Sequence, residues 1–477
     1  MNTASSSRPR QPTPPAGPSD SDSPYAARRK IHPREVTGIF QILRRIMLIA
    51  VLGAFYALCW VPWGDRQIIL WDLPARRFHI LWMTFYPQDF IYVAILLVLA
   101  AITLLFFTAL AGRLWCGYTC PQTLWTEMFL WIERRIEGDR PQRIKLDKSP
   151  WTREKILRRG GKHLIWIAVG LWTGITFVGY FTPIRELLTE LIQFRLGPWE
   201  SFWVFFYGFA TYGNAGFLRE QVCMYMCPYA RFQSAMFDRD SLIISYDEQR
   251  GEPRGSRRRD SDARSAGLGD CIDCTMCVQV CPTGIDIRKG LQYECIGCAA
   301  CIDVCNQVMD RMGYPRGLVR YTTQNALEGK PTRILRPRVI IYAIILLVAG
   351  SLTAYSILTR PGLSMDVLRD RNVLYRTLDD GRIENSYMLK INNRTETQHS
   401  YRLEARGAQG IEVHSDPAII TLPPGAIQPI PARIQIPSGN IDGAMDVELI
   451  LHTVDVPDAP VIREKARFLG PKQGGNP

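Results

Sequence analysis

Eight of the thirteen cysteines stand in two runs of one spacing. Cys271, Cys274, Cys277 and Cys281 make C-x2-C-x2-C-x3-C in "CIDCTMCVQVCP", and Cys295, Cys298, Cys301 and Cys305 repeat it in "CIGCAACIDVC". Runs of this kind hold two [4Fe–4S] cubes: a tight loop aims three thiolates at one cube, and the fourth of each run crosses to the other. The crossed pattern assigns Cys271, Cys274, Cys277 and Cys305 to one cluster, and Cys295, Cys298, Cys301 and Cys281 to the second. Pro282 follows Cys281, but Asn306 follows Cys305, a departure that affects local backbone and leaves the ligand count intact. C-x2-C pairs also bind zinc, yet two complete four-cysteine runs fit cubes better. Two clusters with no other cofactor motif imply electron relay.

Four more cysteines form a second kind of pair. "RLWCGYTCPQ" carries Cys116, Cys120 and Pro121, and "EQVCMYMCPY" carries Cys223, Cys227 and Pro228. Helical residues four apart share a face with Cβ atoms about 5–6 Å apart, wider than the ~4 Å a disulfide prefers. A soft metal bridges such sulfurs more comfortably. Proline disfavours helix in the residue before it and suits a first helical position, so Cys120 and Cys227 are expected at breaks where new helices begin. There the helix dipole should lower a thiol's pKa. Met224 and Met226 are interleaved in the second pair. The set suits Cu(I), as bound ion or substrate, and a third Fe–S cluster is left open; four small residues packed between helices are the plain alternative. Cys59 reads as core, and His79, with Met83 nearby, as structural. His399, His414 and His452 show no ligand spacing.

These residues need elements to position them. Five apolar runs approach spanning length: Ile46 to Val61, Phe90 to Ala111, Leu164 to Thr182, Phe202 to Leu218 and Val339 to Leu358. Arg44 and Arg45, before the first, could snorkel to the interface. Twelve Lys and Arg lie between Arg113 and Lys162, against three between Val61 and Asp89 and two between Pro183 and Ser201. Cations accumulate in cytoplasmic loops, so the N-terminus and the cluster runs are expected inside and the tail after Leu358 outside. Both Cys-Pro pairs then lie at one membrane depth. The net charge of +12 reads as topology plus contact with anionic lipid, without the motifs that would signal nucleic-acid binding.

The expected organisation is a disordered Pro- and Ser-rich tail over 1–35 without signal-peptide features, then helices one to four over 36–245. A flexible, solvated linker over 246–269 follows, long enough for the cluster module to move against the membrane face. The two-cluster module occupies 270–312, a return segment 313–338 and the fifth helix 339–358. "QTLWTEMFLWIERRIEG" reads as an interfacial helix. From 360 to 477 short alternating segments such as "SYMLKIN", "AIITL" and "DVELILHT" predict about seven strands, the rhythm of an immunoglobulin-like sandwich suited to docking a partner. The fold class is thus a membrane α-helical bundle of about five transmembrane helices, with an inserted two-cluster bacterial ferredoxin module and a C-terminal all-β immunoglobulin-like sandwich.

With "HPREVTGIF", "AGRLWCGYTCPQTLWTE", "WIERRIEGDR" and "REQVCMYMCPYARFQSAMFD" preceding the two runs in order, the chain from about His32 onward resembles the cytochrome c oxidase accessory proteins of the FixG and CcoG (RdxA-like) type. The resemblance implies a bacterial inner-membrane protein with a polyferredoxin module inside and an immunoglobulin-like domain in the periplasm. It also implies a role in supplying copper for cbb3-type oxidase assembly, by reducing Cu(II) to Cu(I). Cys116, Cys120, Cys223 and Cys227 match the family's membrane cysteine pairs, and the eight loop cysteines its cluster ligands. Expected partners are membrane lipid, a cytoplasmic electron donor, a copper transporter or chaperone and oxidase subunits; self-association is left open. The alternatives are a quinol-linked membrane electron-transfer subunit and a non-catalytic copper-binding scaffold.

Overall fold

The computed structural model describes residues 30–259, 267–370, 373–455 and 461–471. Most of the predicted tail, residues 1–29, and positions 260–266 of the predicted linker lie outside the described residues. Among the described residues before position 360, eleven α-helices organise the chain: α1 (Ile39–Ala57), α2 (Phe90–Ala111), α3 (Leu114–Tyr118), α4 (Pro121–Glu137), α5 (Arg140–Lys148), α6 (Arg153–Val178), α7 (Ile184–Ile192), α8 (Pro198–Thr211), α9 (Pro228–Ala235), α10 (Ala300–Met312) and α11 (Pro337–Leu358), alongside shorter single turns.

Four helical stretches are long and apolar enough to cross a membrane: Ile39–Trp60, Phe90–Ala111, Arg153–Val178 and Pro337–Leu358. The other predicted span, Phe202 to Leu218, falls on α8 and on the π-helical Tyr212–Leu218 that continues it. In α2 the hydroxyls of Thr103 and Thr108 donate to the carbonyls of Leu99 and Leu104, satisfying polar groups that lipid cannot. Helices α6 and α8 approach through Gly170, Gly174 and Gly208. A Cβ on Gly174 would stand 2.2 Å from the Val204 carbonyl, so only glycine permits this crossing.

Helix α1 starts seven residues before the predicted span and takes in both arginines. Arg44 does not snorkel to lipid. It is buried and bonds Gln41 and Glu127, the latter at 3.2 Å, because α4 offers a carboxylate closer than the interface. Arg45 is exposed and pairs with Glu35.

The amphipathic α4 packs against α6, and its buried face carries charge. Glu133 bonds Arg219 at 2.9 Å and Arg143 at 3.3 Å, and Lys162 bonds Glu137 at 2.7 Å. Burial pushes the Glu133 carboxyl up, but Arg219, Arg143 and Lys162 outweigh it and hold the group below the usual carboxylate range. Its contribution to stability is therefore full above the unfolded carboxylate value and is lost as pH falls through the lower folded one. Glu133→Gln leaves buried cations uncompensated and should cost about 3–5 kcal/mol, seen as a lower thermal midpoint in detergent.

The cluster module is larger than its cysteine runs and is docked, not tethered loosely. Strand Ile243–Tyr246 pairs antiparallel with Val319–Thr322, so the end of the predicted helical segment, the first linker residue and part of the return segment belong to the module. The described linker residues pack on it: Gly255 N–H donates to the Cys271 carbonyl and Arg250 pairs with Asp270. Residues 30–35, predicted as tail, thread between module and bundle. There Arg34 N–H donates to the Gln279 carbonyl, Arg143 donates to the Pro33 carbonyl, and Lys30 and His32 meet Asp147. Asp303 of α10 accepts from the Gln41 backbone at 2.9 Å, placing a carboxylate at the positive end of α1. These contacts pack the described tail and linker residues onto the module and the helices.

Beyond α11 nine strands form two sheets. One orders Glu412–Ser415, Ile427–Pro437, Arg382–Asn393 and Leu363–Arg369, with Arg376–Thr377 beside the third; the other orders Ile419–Leu422, His399–Arg406, Ala444–Thr453 and Ile462–Leu469. Leu389, Ile391, Ile434, Leu449 and Phe468 fill the space between them. The sandwich rests on a three-stranded sheet (Ile69–Asp72, Arg77–Ile80, Met83–Phe85) between α1 and α2. Arg66 and Thr84 bond Glu396, and Arg360 bonds Asp89 at 2.6 Å. His79 bonds Thr84 at 2.8 Å and so belongs to this joint.

Candidate redox site

Both Cys-Pro motifs adopt the predicted break. Gly112, in a left-handed conformation (φ 57°), ends α2; the short α3 carries Cys116; Cys120 is the extended residue capping α4, with Pro121 first in the helix. In the second motif Cys223 lies on the π-helical Val222–Met226, and Cys227 caps α9 ahead of Pro228. Cys116 Sγ lies 3.3 Å from Gln233 Oε1, and the fully buried Gln233 also donates to the Gly112 carbonyl. The four cysteines lie within electrostatic reach of one another. Burial pushes Cys116 up to about 12, with Cys120, Cys223 and Cys227 adding to it, and burial pushes Cys223 up to about 11, with Cys120 and Cys227 adding. At both residues desolvation outweighs the neighbouring positive charge of Arg113. Met226 is 60% exposed and stands away from this set, and Cys59 is buried elsewhere against Val178 and Leu187.

The eight module cysteines gather in the crossed arrangement. Cys271, Cys274, Cys277 and Cys305 line one cavity with Tyr246 and Leu318, and Cys281, Cys295, Cys298 and Cys301 line a second, which Cys277 also reaches. Left-handed residues wind each loop: Asp273 and Thr275 in the first, Gly297 and Ala299 in the second. Thr275 and Ala299 both precede a helical turn that carries the third cysteine of its run. No cysteine is in a disulfide. Among the described residues no three Cys, His, Asp or Glu side chains converge on one ion. This argues against single zinc sites, and it also means that the Cys116 set is not closed around one ion in advance. A donor set of four thiols on apolar walls fits a [4Fe–4S] cube in each cavity.

The two layers meet backbone to backbone. A Cβ on Gly117 would stand 2.6 Å from the Gly297 carbonyl, so the chain beside Cys116 lies directly on the loop between Cys295 and Cys298. Cys116 and Cys223 pack against the buried apolar cluster that contains Ile296 and Cys298. Tyr321 locks the contact by donating to the Gly297 carbonyl at 2.7 Å. Sequence reading missed Gly117, Gly297, Gln233 and Tyr321. The two glycines stand inside the cysteine motifs, but nothing local says that one packs on the other.

Three family models match the chain: a 4Fe-4S dicluster domain over residues 218–324, a 4Fe-4S binding domain over 93–138, and the IG-like fold at the C-terminus of FixG over 353–471. Nitrogen fixation protein FixG of Rhizobium meliloti (strain 1021) is 37% identical over 462 residues, covering 87% of this chain and 88% of its own. Protein RdxA of Cereibacter sphaeroides is 39% identical over 402 residues, covering 81% and 84%. A crystal structure of a FixG-related protein from Vibrio parahaemolyticus is 26% identical and covers 23% of this chain and 95% of its own, with a TM-score of 0.21.

Proposed function

The chain belongs to the FixG family, a membrane iron–sulfur redox protein, and from that premise we propose that it reduces Cu(II) to Cu(I) during assembly of a cbb3-type oxidase. The observation that carries this reading is the seating of Cys116 and Cys223 against the Cys298 loop, which puts soft metal-binding sulfur beside an electron source. When bound, two [4Fe–4S] clusters supply one-electron transfer. Cys271, Cys274, Cys277 and Cys305 would hold the outer one, and Cys281, Cys295, Cys298 and Cys301 the one next to the membrane. The substrate copper would be taken by Cys116, Cys120, Cys223 and Cys227, whose sulfurs favour Cu(I) over Cu(II) and so draw the reduction forward. Cys116 and Cys223, buried as thiols, must release protons as copper binds. Gln233 holds Cys116 in place meanwhile.

In this scheme the cation-rich loops and the module face the cytoplasm of a bacterial inner membrane, with the sandwich in the periplasm. A soluble donor would serve the outer cluster, and a copper transporter or chaperone and oxidase subunits would take the product. The direct test is to reduce the purified protein anaerobically, remove excess reductant, add Cu(II) with a Cu(I)-specific chelator, and follow both metals. Cu(I) should form in step with reoxidation of the clusters. Reduced clusters that persist beside unreacted Cu(II) would remove the proposal.

The contact between the layers supplies a prediction of its own. Gly117→Ala places a methyl against backbone that cannot move aside without lifting the cluster loop. Displacing the partners by ~1 Å should slow cluster reoxidation by Cu(II) about 100-fold. Stopped-flow bleaching of the cluster absorbance reads the rate, and iron content should be unchanged.

A second reading has its own support, because the 4Fe-4S binding model over 93–138 covers Cys116 and Cys120 and none of the eight module cysteines. In it the four thiols hold a third cluster. Iron near twelve atoms per chain would favour it, and iron near eight the copper reading.

A further inference from the structure

Arg113 immediately precedes α3 and is 6% exposed. Its carbonyl oxygen and Cβ lie 3.0 and 3.2 Å from where a Cβ on Gly297 would stand, so the residue is pressed onto the loop between Cys295 and Cys298. Its Nη2 donates to the Ala230 carbonyl at 2.6 Å, on the helix that Cys227 caps. One side chain thus joins the inner cluster loop, the Cys116 turn and the Cys227 helix.

No carboxylate among the described residues forms an ion pair with it. The comparable arginine at the outer set, Arg288, is neutralised by Asp286 at 2.8 Å and by Asp273. Arg44, near Cys298, is neutralised by Glu127. A buried guanidinium left with a carbonyl partner costs free energy, so packing alone does not account for it. Burial pushes the thiols of Cys116, Cys223 and Cys295 up, and the Arg113 guanidinium is a positive charge that pulls all three back.

We infer that Arg113 is a positioning residue for electron transfer: its uncompensated charge favours the reduced state of the cluster held by Cys281, Cys295, Cys298 and Cys301, so that the electron rests beside Cys116 and Cys223. Net charge around a cluster is one of the levers that set its potential. The inference rests on the assignment of the eight cysteines as cluster ligands and is independent of copper as the acceptor.

The test is a redox titration of the full-length protein without copper, using dithionite as electron source and electron paramagnetic resonance as readout. The electron passes from dithionite to a cluster, with no bond broken and no proton moved. Arg113→Gln keeps a donor for Ala230 and removes the charge. It should lower one of the two midpoints by at least tenfold in the reduced-to-oxidised ratio, about 59 mV for one electron, and leave the other in place. Two unchanged midpoints, or two equal shifts, would overturn the inference. Arg113→Lys keeps the charge and alters the hydrogen bond, and it decides the matter even where the glutamine variant loses iron. Wild-type midpoints in it support the charge, and a tenfold shift refutes it. A selective shift in protein that never reduces Cu(II) would uphold Arg113 and sink the copper reading.

Discussion

Serine at both Cys116 and Cys223 is expected to abolish Cu(II) reduction by the dithionite-reduced protein while both cluster signals remain. Both residues pack against the buried cluster that contains Ile296 and Cys298 of the second cysteine run. Serine is close in size and can keep the bond from residue 116 to Gln233, which leaves the fold with little reason to change. Its hydroxyl oxygen is a hard ligand, however, and does not stabilise Cu(I). The loss should reach at least about 100-fold, the scale on which removing a reacting group from position acts. Wild-type protein should also release protons as copper binds, because burial pushes these thiols up to about 12 and about 11. A double variant that reduces Cu(II) as fast as wild type, with full iron, would move the copper site elsewhere.

Cys305→Ser should remove the outer cluster and spare the inner one, although Cys305 belongs to the second run. Iron should fall from about eight to about four atoms per chain. The reason is spatial: Cys305 lies on α10 and turns into the cavity of Cys271, Cys274 and Cys277, while Cys281 crosses to the cavity of Cys295, Cys298 and Cys301. The remaining signal should therefore match that of Cys271→Ser. A match to Cys295→Ser instead would mean that each run serves its own cluster.

Much of this site was legible in sequence because its chemistry is local. Cysteine spacing within each run fixes which thiols a tight loop can aim together, and Pro121 and Pro228 force extended backbone at Cys120 and Cys227 wherever they occur. Apolar runs report helices that cross lipid, although the span ending at Leu218 reads as one helix in composition and becomes α-helix followed by π-helix in fact. The linker was misread for a physical reason. Its glycines and arginines look solvated, but among its described residues Gly251 and Gly269 lie backbone against backbone, Arg250 pairs with Asp270, and Arg257 donates to the Tyr314 hydroxyl. Strand Leu363–Arg369 was missed because "LSMDVLR" alternates weakly, and its pairing with Arg382–Asn393 supplies what its own pattern lacks.

By itself the sequence determined two cysteine quartets, two Cys-Pro breaks, a helical membrane part and a C-terminal β sandwich, since each depends on residues close along the chain. Tertiary structure alone decided that Gly117 lies on Gly297, that Arg113 stands without a carboxylate between the two cysteine layers, and that Asp303 ties the module to α1. Those contacts join positions far apart in sequence. Their existence depends on how the helices pack, and no local spacing encodes that.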